Sequence, residues 1–132
     1  MNPTENTQKT ILVVDDDPYI VDLMSRQLKA KGFRVLPTTD PETAFSLAEK
    51  EKPDLIISDI WMPEPIGFFN QDRLANLGLA GVPVIYITAS KKKDLQQIAR
   101  EEGAAAFFEK PYDAEQLLAA IGQALKEQSL VA

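Results

Sequence analysis

The chain has neither cysteine nor histidine. Without thiols there is no disulfide, thiolate nucleophile or thiolate-bound zinc. Without imidazole there is no histidine base, no histidine metal ligand and no phosphohistidine on the chain itself. A metal held here must be held by oxygen, which selects hard cations such as Mg²⁺, Mn²⁺ or Ca²⁺. No apolar run approaches the roughly 20 residues of a membrane-spanning helix. The polar start, "MNPTENTQK", lacks the apolar core of a signal peptide, so residues 1–8 read as a flexible arm on a cytoplasmic protein. Positive charge is also short, with 14 Lys and Arg against 20 Asp and Glu and a net charge of −6. That balance argues against nucleic acid or an anionic membrane as the main partner.

A length of 132 residues suits one domain. Three short runs are too apolar for half-exposed strands: Ile11 to Val14, Leu55 to Ile57, and Val82 to Thr88. They are rich in β-branched residues and bounded by Asp, Pro or Gly, as strands buried on both faces are. Two weaker strands fit Phe33 to Thr38 and Ala105 to Glu109. Helical periods lie between them. Ile20, Leu23, Met24 and Leu28 recur at helical steps before Gly32, and a second helix starts at a capping Asp40 with Pro41 behind it and stops before Pro53. The stretches 68–78 and 94–103 follow. A last helix begins at Asp113, has Gln116 as capping-box partner, and buries Leu117, Leu118, Ile121 and Leu125. Five alternating strand–helix units joined by short loops predict an α/β fold, a doubly wound parallel sheet with helices on both faces.

In such sheets ligands bind beyond the carboxyl ends of the strands. Asp15, Asp16 and Asp17 follow the first strand, Asp59 the third, Thr88 and Ala89 the fourth, and Lys110 with Pro111 the fifth. Two ionised carboxylates about 5 Å apart repel by roughly 3 kcal/mol at an effective dielectric near 20. Such a cluster protonates in part or binds a hard cation, and Mg²⁺ suits a few carboxylates plus waters. With Lys110 as a second positive charge and Thr88 as a hydroxyl donor, these are the parts for phosphoryl transfer onto a carboxylate, Asp59.

Plainer readings stand beside these. Asp17 before Pro18 reads as a helix cap. Phe107 reads as core filling in the fifth strand. Lys91, Lys92 and Lys93 read as a solvated face; because they oppose the helix dipole, raising the potential at the site mouth is the alternative. Trp61, two residues past Asp59, fits either core or interface.

"ILVVDDDP", "DLIISDIWMP" with the following glycine, "VIYITA" and "FFEKPY" resemble, in order and spacing, the receiver domain of two-component response regulators over residues 9–128. Residues 129–132 are then a C-terminal tail. The resemblance implies a flavodoxin-like (βα)₅ sheet of strand order 2-1-3-4-5, and a chemotaxis-regulator-like signalling domain rather than an enzyme acting on a separate substrate. It makes Asp59 the phosphoacceptor, with a histidine kinase or a histidine phosphotransfer protein as donor. It assigns Mg²⁺ to Asp15, Asp16, Asp59 and the backbone carbonyl of Trp61. Thr88 and Lys110 then contact the acyl phosphate, and Phe107 is the switch aromatic that turns inward as Thr88 moves. The output is an altered surface for a downstream protein, sought on the fourth and fifth helices near Lys91, Gln96 and Arg100.

The chain also departs from the family pattern. Ile66 stands before Gly67 where many receivers carry an acid, and Pro63 and Pro65 stiffen that loop. Ala105 and Ala106 occupy positions where winged-helix regulators often have the acids of a dimer ion-pair network. Trp61 and Ser90 hold the two variable positions that tune acyl-phosphate lifetime, and the bulk of Trp61 is expected to lengthen it. Two other functions fit less well. A pseudo-receiver that binds without phosphorylation does not need the full set of Asp15, Asp16, Asp59, Thr88 and Lys110. A haloacid-dehalogenase-like phosphohydrolase accounts for the D-x-D of Asp15 and Asp17, but it meets Pro18 where Gly-Thr is usual and leaves Asp59 without a role.

Overall fold

The computed structural model describes residues 8–59, 69–89 and 93–131. Five strands and five helices alternate: β1 (Thr10–Val14), α1 (Pro18–Ala30), β2 (Arg34–Thr38), α2 (Pro41–Glu51), β3 (Leu55–Asp59), α3 (Gln71–Asn76), β4 (Val84–Thr88), α4 (Lys93–Glu101), β5 (Ala106–Glu109) and α5 (Ala114–Val131). All strand pairs are parallel and the order is β2-β1-β3-β4-β5. This is the doubly wound order that the receiver resemblance implies.

Strand alternation sorts the core into two layers. Leu12, Val14, Ile56, Val84 and Tyr86 pack with Ala44, Ala48, Leu74, Leu95 and Ala99 of α2, α3 and α4. Ile11, Val13, Leu55, Ile57, Ile85 and Ile87 pack with Met24, Leu28, Leu117 and Ile121 of α1 and α5. Both faces of β1, β3 and β4 are therefore buried, which is why these strands read as unbroken apolar runs. Each Leu or Ile so enclosed contributes about 1.5–3 kcal/mol relative to exposure. Register at the amino end is pinned by Asp54, whose N–H donates to the Thr10 carbonyl while its carboxylate accepts the Thr10 N–H, both at 2.8 Å. Pro37, which has no N–H to donate, lies on the edge strand β2, where that absence is tolerated.

Helix starts follow local chemistry. The Asp17 carboxylate accepts the Tyr19 N–H at 2.9 Å, so the capping role expected of Asp17 is observed. Asp40 accepts the Thr43 N–H and Asp113 accepts the Gln116 N–H. Two elements are shorter by two residues or more than their sequence pattern suggests. The stretch 68–78 yields only α3, because Asn70 caps it by accepting the Arg73 N–H at 2.8 Å, and buried Phe69 lies ahead of the cap. β4 begins at Val84 and not Val82, because the Val82 N–H is taken by the Leu79 carbonyl and Pro83 has none to offer. Gly78 ends α3 at φ +76°, a left-handed conformation in which a side chain is strained.

Candidate functional site

The carboxyl ends of β1, β3, β4 and β5 form one edge of the sheet, and the residues that end these strands meet there. Asp15 directly follows β1 and is 3% exposed, while Asp59 closes β3 at 6%. Asp16, beside Asp15, is exposed. One oxygen from each of these three carboxylates lies within 4.8 Å of the others. Lys110, one residue past β5, reaches in with its ammonium 2.7 Å from Asp15 Oδ2 and 3.6 Å from Asp59 Oδ1. Asp15 has a second donor, the Asp17 N–H, at 2.9 Å from its Oδ1. The loop after β1 is thus folded back onto its own first carboxylate.

Thr88 ends β4 and is 1% exposed, and its carbonyl accepts the Lys110 N–H at 2.8 Å. Alternation divides the set between the two faces of the sheet. Asp59 follows Leu55 and Ile57 on the α1–α5 side, whereas Thr88 follows Val84 and Tyr86 on the α2–α3–α4 side. Phe107 belongs with Thr88: it lies opposite Tyr86 in the β4–β5 register and packs, half-buried, against the same layer. Hence the core-filling reading of Phe107 holds in this conformation.

The electrostatics follow from crowding. Burial, reinforced by repulsion from Asp15, pushes the Asp59 carboxyl up to about 7 against the ordinary 3.8, and Lys110 only partly offsets this. Burial also raises Asp15, against the opposing pull of Lys110 and the Asp17 N–H. For Lys110, burial works against the charge, but the Asp15 hydrogen bond and the field of the surrounding carboxylates outweigh it and the pKa rises. Two acids held above their usual range mark a site short of positive charge. An all-oxygen donor set of three carboxylates within 4.8 Å fits a hard divalent cation.

Of the residues expected at the site, Asp15, Asp16, Asp59 and Lys110 are brought together, with Thr88 adjoining through its backbone. Trp61, Ile66, Ser90, Lys91 and Lys92 lie outside the described residues. Tyr112, the last residue of the "FFEKPY" segment, also meets Gln27 of α1, a pairing that no sequence pattern predicts. Tyr112 Oη donates to Gln27 Oε1 at 3.1 Å, and the fields of Asp15 and Lys110 both act on the Tyr112 phenol.

A family model for the response regulator receiver domain matches residues 11–122. The chain belongs to the response regulator receiver domain family. Among its relatives, this receiver is 32% identical to Protein PilH of Pseudomonas aeruginosa over 116 residues, 87% of this chain and 96% of that protein. It is also 32% identical to the transcriptional regulatory protein PdtaR of Mycobacterium tuberculosis over 86% of this chain but 55% of that protein. The alkaline phosphatase synthesis transcriptional regulatory protein PhoP of Bacillus subtilis matches at 32% over 94% of this chain and 51% of its own length. The receiver therefore spans about half the length of several curated relatives that it matches. Among solved structures, a CheY-like response regulator receiver domain protein from Methanospirillum hungatei superposes with a TM-score of 0.82 at 27% identity, covering 96% of this chain and all of that one. No helix among the described residues is long and apolar enough to cross a membrane.

Proposed function

We propose that this receiver accepts a phosphoryl group on Asp59 from a phosphohistidine on a histidine kinase or a histidine phosphotransfer protein. The observation that carries the reading is the placement of Asp59. It is a buried carboxylate with an ammonium at 3.6 Å and two further carboxylates close enough to share a cation with it. In the transfer, an Asp59 carboxylate oxygen attacks phosphorus and a new P–O bond forms. The P–N bond to the donor imidazole breaks, and the imidazole leaves with the electron pair and takes up a proton. The phosphohistidine lies outside these 132 residues, which contain no histidine.

The residues that would hold Mg²⁺ are Asp15, Asp16 and Asp59, with the Trp61 backbone carbonyl as a further ligand. Bound there, Mg²⁺ would supply positive charge that offsets the repulsion between three carboxylates and an incoming phosphoryl group. The chain's own groups do the rest. Asp59 is the nucleophile, and the site's field decides how much of it is ionised. Lys110 stabilises the negative charge on the phosphoryl oxygens. The Thr88 hydroxyl donates to one of those oxygens, and its movement opens space into which Phe107 turns, changing the surface on the α4–β5–α5 side for a downstream protein. Transfer and slow hydrolysis are then the only chemistry, and the domain acts as a switch.

The test is incubation of purified protein with Mg²⁺ and acetyl phosphate, read by intact mass. One phosphoryl adduct is expected on the wild type, and none without Mg²⁺ or on Asp59→Asn. An adduct that persists on Asp59→Asn overturns the assignment. No adduct under any condition overturns the phosphoacceptor reading in favour of a phosphorylation-independent binding module.

A further inference from the structure

Tyr112 and Gln27 are 85 residues apart, carry no formal charge and are hydrogen-bonded to each other, Tyr112 Oη donating to Gln27 Oε1 at 3.1 Å. The Tyr112 ring packs against the α1–α5 core layer. Burial first, and then the Asp15 carboxylate, push its phenol above the ordinary range, while Lys110, two residues earlier in the sequence, opposes them. Gln27 sits on α1, whose capping residue Asp17 is itself bonded to Asp15. The segment after β5 is thus tied to the β1–α1 segment twice, once through Lys110–Asp15 and once through Tyr112–Gln27. On its other side the same segment is anchored to β4, where the Lys110 N–H meets the Thr88 carbonyl at 2.8 Å.

The two ties differ in what happens to them during transfer. For its ammonium to meet a phosphoryl oxygen on Asp59, Lys110 must give up at least part of its 2.7 Å contact with Asp15. The Tyr112–Gln27 bond involves neither partner and can persist. We propose that this hydrogen bond is a positioning brace. It holds the segment after β5 against α1, so that Lys110 exchanges Asp15 for the phosphoryl group by turning its side chain over a fixed backbone. Tyr112 and Gln27 are positioning residues acting through Lys110, and the inference rests on Asp59 being the phosphoacceptor.

A brace of this kind affects the rate of transfer and leaves the affinity for Mg²⁺ alone, because it holds no carboxylate of the cluster. Adduct formation is followed by intact mass across acetyl phosphate concentrations in wild type, Tyr112→Phe, Gln27→Leu, the double variant and Gln27→Glu. Half-saturating Mg²⁺ is measured alongside by Trp fluorescence. Tyr112→Phe and Gln27→Leu are each expected to lower the maximal rate roughly fivefold, as loss of one positioning hydrogen bond would, with half-saturating Mg²⁺ unchanged. The double variant is expected to be no slower than either single one. Gln27→Glu keeps an acceptor oxygen at the same reach and is expected to stay near wild type. Unchanged maximal rates, additive losses in the double variant, or a Gln27→Glu as slow as Gln27→Leu overturns the brace while the phosphoacceptor reading stands. A wild type that takes no phosphoryl group overturns both.

Discussion

The Lys110 ammonium is paired with Asp15 at 2.7 Å, although β3 and β4 lie between the strands that carry them. Adjacent strands are about 4.8 Å apart, so only a long, unbranched side chain reaching along the strand ends makes this contact. On its way Lys110 passes Asp59, which it approaches to 3.6 Å. One ammonium thereby spans the nucleophile and a carboxylate of the cation cluster. It stands where a charge released from one can serve the other.

Asp59→Asn removes a carboxyl that burial and Asp15 hold up at about 7. With one like charge fewer, the variant is expected to be more stable than wild type at neutral pH without Mg²⁺, by up to about 2 kcal/mol. Denaturant unfolding checks this; a variant less stable than wild type contradicts crowding among the three carboxylates.

Lys110→Met leaves Asp15 without its 2.7 Å partner and Asp59 without its nearest cation among the described residues. Stability is expected to drop by about 1–3 kcal/mol at neutral pH, and by less in acid, where Asp15 protonates in compensation. Phosphorylation by acetyl phosphate is expected to slow at least about tenfold, through loss of charge stabilisation on the phosphoryl oxygens. Equal rates in the two proteins would show that the ammonium has a structural role only.

Stability of the Mg²⁺-free protein should fall as pH rises. Asp59 titrates at about 7 in the fold against 3.8 as an ordinary carboxyl, and Asp15 is shifted in the same direction. Between those values the folded state holds protons that the unfolded chain has released, so the slope of stability with pH is negative. The contribution is complete below 3.8 and is lost as pH passes about 7. Lys110, raised above its ordinary 10.5, stays charged throughout this window and does not reverse the sign. Melting temperatures from about pH 5 to about pH 8 without Mg²⁺ should decline, less steeply in Asp59→Asn. A rise over that range contradicts the direction of the shift.

Mg²⁺ should stabilise the fold by mass action, about 2.7 kcal/mol at roughly a hundredfold excess over its Kd. The gain should be reversed by EDTA and shrink strongly in Asp15→Asn, which removes a member of the cluster. Thermal melts with and without Mg²⁺ measure it, and an undiminished gain in Asp15→Asn would move the cation elsewhere.

The sequence by itself determined the alternation of five strands and five helices, the caps at Asp17, Asp40 and Asp113, and the list of residues at the strand ends. Each of these rests on local chemistry. A doubly buried strand has to be apolar throughout, and a cap needs a short acceptor at the helix start. The strand ends were legible because a parallel sheet brings all of them to one edge. The start of α3 was less legible, because Phe69 is apolar at helical spacing yet lies ahead of the Asn70 cap, and only the backbone shows which residue is the cap. The tertiary structure alone decided how the site is divided. Strand parity together with the 2-1-3-4-5 order puts Asp59 on the α1–α5 side and Thr88 with Phe107 on the other. It also brought Tyr112 to Gln27 across 85 residues. Such pairings depend on α1 and α5 sharing one face of the sheet, and no local pattern encodes that.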